Sequence, residues 1–191
     1  MENQTLNFEI GFWHPFGPHA GETAEEIIKR KQKEIDDNGW TLWSFSYKKP
    51  ETLGLWFNEI TRVNSRNVLV FCSDGKGAKE PKSDTKKCNY YIPVNESAAL
   101  SIPDVIQIPH PMGTKVKASA FIVESISYPT EYEAINLDWF YAGQKKWQNQ
   151  RSSTFGEHLI KPGEGKVIGK FSVILKLKAP YLAEVGITTN S

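Results

Sequence analysis

The sequence predicts an α+β fold, in which a mixed, mainly antiparallel and barrel-like sheet is flanked by helices. Predicted strands outnumber predicted helices, and both well-defined helices fall in the first third of the chain. The later strands follow one another with irregular connections, so we expect them to pair antiparallel. They are long and alternate apolar with polar residues, and Gly169 would allow the bend of a barrel corner.

The first helix is the best-defined predicted element. A short strand is predicted over 8–13, and the two prolines and two glycines of 14–21 predict a rigid loop after it. The helix then follows Thr23, which forms a capping-box pattern with Glu26, and it ends at Gly39. Its single stripe of helical spacing predicts a surface helix that covers part of the fold. The stripe consists of Ala24, Ile27, Ile28, Lys31 and Ile35.

The stretch after this helix is unusually aromatic. If residues 41–47 form a strand, alternation places Trp43, Phe45 and Tyr47 on one face and small side chains such as Ser44 on the other. An aromatic face beside a small polar face suits either a core wall or the wall of a pocket for a flat ligand.

The remainder of the chain continues with both kinds of element. Helices are assigned from apolar spacing of three and four, and strands from alternation or from short apolar runs. The predicted segments are a helix over 51–62, a buried strand over 68–72, an exposed lysine-rich loop over 73–91, an irregular segment over 92–113 with a short strand around 105–108, a strand over 116–128, a helix over 131–142, an irregular segment over 143–165 and a strand over 166–178.

The length, composition and net charge of the chain limit the functions it can have. The 191 residues suit one domain, 1–191, and 12% of them are aromatic, which weakly favours a recognition protein. The net charge of +1 makes any basic site a local patch. The sequence has no apolar run of about 18 residues, no signal-peptide pattern and only two cysteines. We therefore expect a cytoplasmic protein without a membrane partner, and no cofactor is predicted.

The order of these segments resembles the pseudouridine synthase and archaeosine transglycosylase (PUA)-like superfamily, particularly its EVE, YTH and ASCH branches. The residues that carry the resemblance are Trp43-Ser44, the strand and glycine turn NVLVFCSDGKG at 67–77, and the strand ASAFIVESI at 118–126. The resemblance covers about 40–178. It implies a barrel-like fold that binds nucleic acid and surrounds a flipped or single-stranded base with aromatic side chains.

Four residues are candidates for ligand binding. Trp13 and Trp43 can stack on a base, which contributes about 1–3 kcal/mol per base. Ser44 can hydrogen-bond the edge of the base, and His14 closes the first strand beside the same mouth. The alternative for each aromatic residue is a place in the core.

Basic residues in two predicted loops are candidates for phosphate contact. Lys76 lies in a glycine-rich loop that lacks the pattern of a nucleotide-triphosphate site. The stretch 144–155 contains Lys145, Lys146 and Arg151, two aromatic residues and no acid, a mixture typical of backbone contacts with occasional stacking. The alternative is a polar surface loop with no ligand.

Catalytic and metal sites have weaker support. His14 and His19 are two potential ligands without a third, so no metal site is predicted. Cys72 and Asp74 could form a nucleophile set with a distant histidine, His110 or His158, but Cys72 fits the buried strand better, as free cysteines often do. No catalytic residue is assigned.

Three hypotheses follow. The first is a nucleic-acid-binding module, for DNA or RNA, that accepts a modified or unpaired base in an aromatic-lined pocket. The second is a barrel-type enzyme or small-ligand-binding protein. The third is an interaction protein whose aromatic residues are all core.

Overall fold

A ten-stranded sheet and two helices dominate the described part of the chain. The structure, a computed structural model, describes residues 7–75, 85–111, 116–129, 134–151, 156–169 and 171–188. The helices are α1 (Ala24–Asn38) and α2 (Pro50–Val63). The strands are β1 (Ile10–Phe16), β2 (Thr41–Phe45), β3 (Val68–Asp74), β4 (Thr85–Lys87), β5 (Tyr90–Pro93), β6 (Leu100–Ser101), β7 (Pro109–Pro111), β8 (Lys117–Ser127), β9 (Ile135–Tyr141), β10 (Lys146–Gln148), β11 (His158–Ile168) and β12 (Val173–Gly186).

The sheet is mixed and mainly antiparallel, which confirms the α+β prediction. Its order is β10-β9-β11-β1-β3-β12-β5-β6, and a branch from β12 continues through β8 to β2. Strands β1 and β3 run parallel, and the other described pairs run antiparallel. Among the described strands, β2 and β10 end their branches without pairing with each other. The prediction of a barrel-like sheet is therefore wrong, because closure needs every edge strand to find a partner.

Local sequence signals account for the two helices. Thr23 and Glu26 form the predicted capping box, and Gly39 ends α1 in the left-handed conformation with φ 88°. Pro50 occupies the first turn of α2, where its missing N–H costs no hydrogen bond. Both helices bury their apolar side in the main core. Neither is both long and apolar enough to cross a membrane.

The core consists of three clusters, and β1 separates two of them. The main cluster takes Phe12 from β1 and packs it against Trp56 of α2 and Phe121 of β8. The cluster on the opposite face of β1 contains Trp139, with Trp13 packed against it. Since neighbouring side chains of a strand point to opposite faces, Trp13 and His14 belong to different surroundings.

The second half of the chain contains most of the wrong predictions. The helix predicted over 131–142 is strand β9 within the described residues 134–142: Leu137 and Trp139 alternate into one cluster, while Phe140 faces the main core. The irregular segment predicted over 143–165 contains β10 and most of β11. Pairing with distant strands overrides the weak local preference in both places.

The other differences concern boundaries. The strand predicted over 166–178 is divided between β11 and β12, and no strand is found around 105–108, where Ile106 and Ile108 instead pack as an irregular segment. The opening strand extends past 13 to Phe16, which places His14 in a strand and not in a loop. The buried strand predicted over 68–72 is confirmed as β3, which lies between β1 and β12.

Candidate functional site

A pocket of about 330 Å³ lies where the end of β1, the strand β2 and the first half of α1 meet. Residues 17–19 and the segment around Gln107 form further walls, and Lys117, Ala118 and Glu157 complete the lining. The volume is at the lower end of the range for small-molecule sites. The pocket contains three of the four predicted ligand-binding residues, His14, Trp43 and Ser44.

Aromatic side chains form one wall of the pocket. Phe16 and Trp43 meet edge to face, with ring centroids 4.9 Å apart, and Phe45 extends the same wall. The Trp43 side chain is buried, at 3% exposure, while Tyr47 is 44% exposed at the pocket. Trp43 therefore presents only a small part of its ring to the pocket.

Trp43 also orients a buried histidine. Its indole Nε1 donates a hydrogen bond of 3.3 Å to Nε2 of His14. Because an indole N–H only donates, Nε2 must accept, and the proton of the ring lies on Nδ1. Nδ1 in turn lies 3.3 Å from Oε1 of Glu157. The three side chains form a line from β2 through β1 to the residue that precedes β11.

Glu157 is a buried carboxylate with unused hydrogen-bonding capacity. Burial raises the pKa of Glu157, but the opposite effect of His14 and Lys48 is larger. The pKa therefore lies below its ordinary value, and the carboxyl group is ionised at neutral pH. Lys48 Nζ lies 3.7 Å from Oε2, which is an ion-pair distance but too long for a hydrogen bond. Within the described residues, Nδ1 of His14 and Oε2 of Glu157 have no hydrogen-bond partner.

A network of ion pairs and hydrogen bonds stabilises the wall of the pocket that α1 and Gln107 form. Glu34 on α1 accepts hydrogen bonds from Arg30 and Lys31, and it also accepts the backbone N–H of Gln107. Arg30 and Lys31 both donate to the carbonyl of Gln107, and Arg30 binds Glu22 through two nitrogens. Two cations face two carboxylates, so this wall is polar but has little net charge.

Lys31 is the most perturbed member of the network. Burial lowers its pKa to about 8, an effect that Glu34 partly opposes and Arg30 reinforces. The side chain reaches this position because it occupies the apolar stripe of α1, as the sequence spacing predicts. A lysine at an apolar helical position is the signal that identifies this wall from sequence.

The fourth predicted ligand-binding residue, Trp13, lies on the other face of β1. Its ring stacks on His158 at a centroid distance of 6.0 Å and 17° between planes. The Arg151 guanidinium lies over Trp13, 4.5 Å from the ring centroid. Burial lowers the pKa of His158 to about 4, with Arg151 and Lys48 adding to the effect and Glu157 opposing it. The structure thus separates Trp13 from Trp43.

Of the predicted phosphate-contacting residues, the three that the structure describes do not line the pocket. Lys145 and Lys146 are exposed where β9 turns into β10, and Lys145 adopts a left-handed φ of 54°. Arg151 packs on Trp13, as described above. Lys76 lies outside the described residues.

The alternative nucleophile set is not assembled from the described side chains, which do not include that of His110. Cys72 is fully buried in β3, and burial raises the pKa of its thiol. Asp74 is exposed at the end of the same strand, while His158 packs against Trp13 and Trp139. In the described part of the chain, no group of three metal-ligating side chains is found.

Several site residues were missed by the sequence patterns. Glu157 lies in a stretch that is predicted to be irregular, although the apolar pair Leu159-Ile160, which begins two residues later, is a signal for the strand β11. Lys48 directly follows the strand predicted over 41–47, and Lys117 lies at the start of the strand predicted over 116–128, but both resemble ordinary surface lysines. Comparisons of the chain with protein-family models, with curated proteins and with solved structures gave no match. Functional inference therefore depends on the pocket.

Proposed function

We propose that the protein binds nucleic acid and accepts one unpaired or modified base in the pocket between β1, β2 and α1. The observation that carries the proposal is a pocket with an aromatic wall and with the polar residues His14, Ser44 and Glu157 in its lining. An extruded base needs an apolar slot with polar groups at its edge. The resemblance of Trp43-Ser44 and its neighbouring segments to PUA-like proteins implies the same class of ligand.

Charge supports a base, and not a phosphate, as the group inside the pocket. Arg30 and Lys31 are neutralised by Glu22 and Glu34, and Lys48 lies beside the ionised Glu157. An additional phosphate would have to compete with these carboxylates at short range. A neutral heterocycle avoids that cost, so we assign the phosphates to basic residues outside the pocket.

Arg151 and Lys145 are the basic residues chosen for the test. Lys145 is exposed, and the Arg151 guanidinium lies over the ring of Trp13, which stacks on His158, the residue after Glu157. Binding of fluorescent DNA and RNA oligonucleotides, with and without modified bases, is measured at two salt concentrations. Lys145→Glu with Arg151→Glu should weaken binding and flatten its salt dependence, because fewer counterions are released.

A double charge reversal on α1 provides the control. Lys29→Glu with Lys33→Glu changes the net charge equally on an exposed helix face away from the pocket lining. The control should bind almost as the wild type does. Equal losses in both double variants would indicate an effect of net charge alone, and unchanged affinity in the first variant would remove these phosphate contacts from the proposal.

A small-ligand-binding protein is the second candidate, favoured by the low net charge of the pocket. The His14–Glu157 pair is less suited to acid–base catalysis, because Nε2 of His14 already accepts the indole N–H of Trp43. The imidazole therefore has no free nitrogen with which to remove a substrate proton. Binding of free nucleosides without any affinity for oligonucleotides would favour this second candidate.

A further inference from the structure

We infer that Tyr47 forms a second subsite at the mouth of the pocket, where its ring stacks on the base next to the one that the pocket holds. This subsite rests on the proposed function, and it extends the bound ligand from one base to a strand of at least two nucleotides. Tyr47 lies two residues beyond the end of β2, and it is one of the residues that line the pocket.

The accessible part of the aromatic wall lies at its outer end. Trp43 and Phe45 are 3% and 6% exposed, and Trp43 meets Phe16 edge to face, so other side chains cover most of these rings. Tyr47 is 44% exposed. In the described part of the chain, it is the exposed aromatic residue of the pocket lining. A base can stack only on a ring that it can reach, so Tyr47 provides the main stacking surface of this wall.

The lysines beside Tyr47 are paired with carboxylates. Lys117 also lines the pocket, and its Nζ lies 3.3 Å from Oε1 of Glu184. Lys48 directly follows Tyr47 in the chain, and its Nζ lies 3.7 Å from Oε2 of Glu157. Because these two cations are already neutralised, a phosphate would gain little from them. This part of the rim therefore favours the flat, uncharged face of a base.

The size of the pocket places a second base at its mouth. The volume of about 330 Å³ is at the lower end of the range for small-molecule sites, so the pocket takes one base and its neighbour stays outside. The shared sugar-phosphate backbone keeps that neighbour close to the mouth, where Tyr47 lies. An aromatic ring stacks on any base, because every base has a π-face. The subsite therefore adds affinity for single strands without selecting a particular base.

The test compares ligands with and without a second base. The probes are the RNA tetranucleotides of adenylate, cytidylate and uridylate, the corresponding nucleoside monophosphates, and the oligonucleotide that binds most tightly in the panel described above. Tyr47→Ala should raise the Kd for the oligonucleotides about tenfold in calorimetric titrations, because one stacked base is lost. The Kd for the monophosphates should change by less than about twofold, because they have no second base. Tyr47→Phe keeps the ring and should bind every probe as the wild type does.

Tyr128→Ala is the matched control, since Tyr128 is 59% exposed but does not line the pocket. Its affinity for every probe should equal that of the wild type. Equal effects of the two alanine variants overturn the subsite and leave the proposed function intact if oligonucleotides bind. An equal loss of monophosphate and oligonucleotide binding in Tyr47→Ala also overturns it, because Tyr47 would then contact the base inside the pocket. Equal affinity of the wild type for monophosphates and tetranucleotides overturns it whether or not the variants fold. Failure of every probe to bind overturns both the subsite and the proposed function.

Discussion

Replacing Glu34 by alanine should reduce the free energy of unfolding by about 3–5 kcal/mol, the range for breaking a buried ion pair by removing one partner. The Glu34 side chain is 4% exposed, and it accepts hydrogen bonds from Arg30, Lys31 and Thr41. It also accepts the backbone N–H of Gln107, which lies in a wall of the pocket. The substitution leaves Lys31 buried without its nearest carboxylate, and this uncompensated charge dominates the loss.

Urea denaturation, followed by tryptophan fluorescence and by circular dichroism, measures the effect of Glu34→Ala. The control is Asp37→Ala on the same helix, which breaks the ion pair with Lys33. Those side chains are 43% and 75% exposed, so the control should have little effect on the free energy of unfolding. Adding Lys31→Met to Glu34→Ala should recover part of the loss, because the buried ammonium is then absent. Losses within 0.5 kcal/mol of each other for the two single variants would refute the argument.

Three further predictions concern pH and backbone packing. The pKa of Lys31 is about 8 in the folded chain, below its ordinary value of 10.5. Between these two pH values the unfolded chain binds one more proton than the folded chain, so the free energy of unfolding should rise with pH by up to about 3 kcal/mol relative to Lys31→Met. Equal pH slopes for the two proteins in urea titrations would contradict this. The pKa of His158 is lowered from 6.5 to about 4, so stability should fall by up to about 3 kcal/mol as the pH drops across that interval, and a parallel profile for His158→Gln would argue against it. Gly11→Ala should destabilise the protein by about 1–3 kcal/mol, because the new Cβ would lie 2.5 Å from the carbonyl oxygen of Leu69. Gly54→Ala should stabilise it by about 1 kcal/mol, because Gly54 lies on α2 with open space around its Cβ position. Effects of the same sign for both variants in thermal unfolding would refute the packing argument.

Local signals in the sequence were sufficient for the first third of the chain. The capping box at Thr23 and the stop at Gly39 act through bonds between close neighbours, so a reader of the sequence sees both partners. The apolar run of β3 is equally local, and its burial between two strands was predicted. The sequence predicts a helix in place of strand β9, because the alternation of β9 is short and its partners lie in β10 and β11, which themselves lack a clear pattern.

The sequence by itself determined that a one-sided helix, with Lys31 in its apolar stripe, precedes an aromatic strand that contains Trp43 and Ser44. The tertiary structure decided what those residues face. It places His14 inside the fold between Trp43 and Glu157, and it turns Trp13 to the opposite side of the sheet. The reason is distance along the chain: His14 and Glu157 are far apart in sequence and meet only through the pairing of β1 with β11. A pattern read from neighbouring residues contains no information about that pairing.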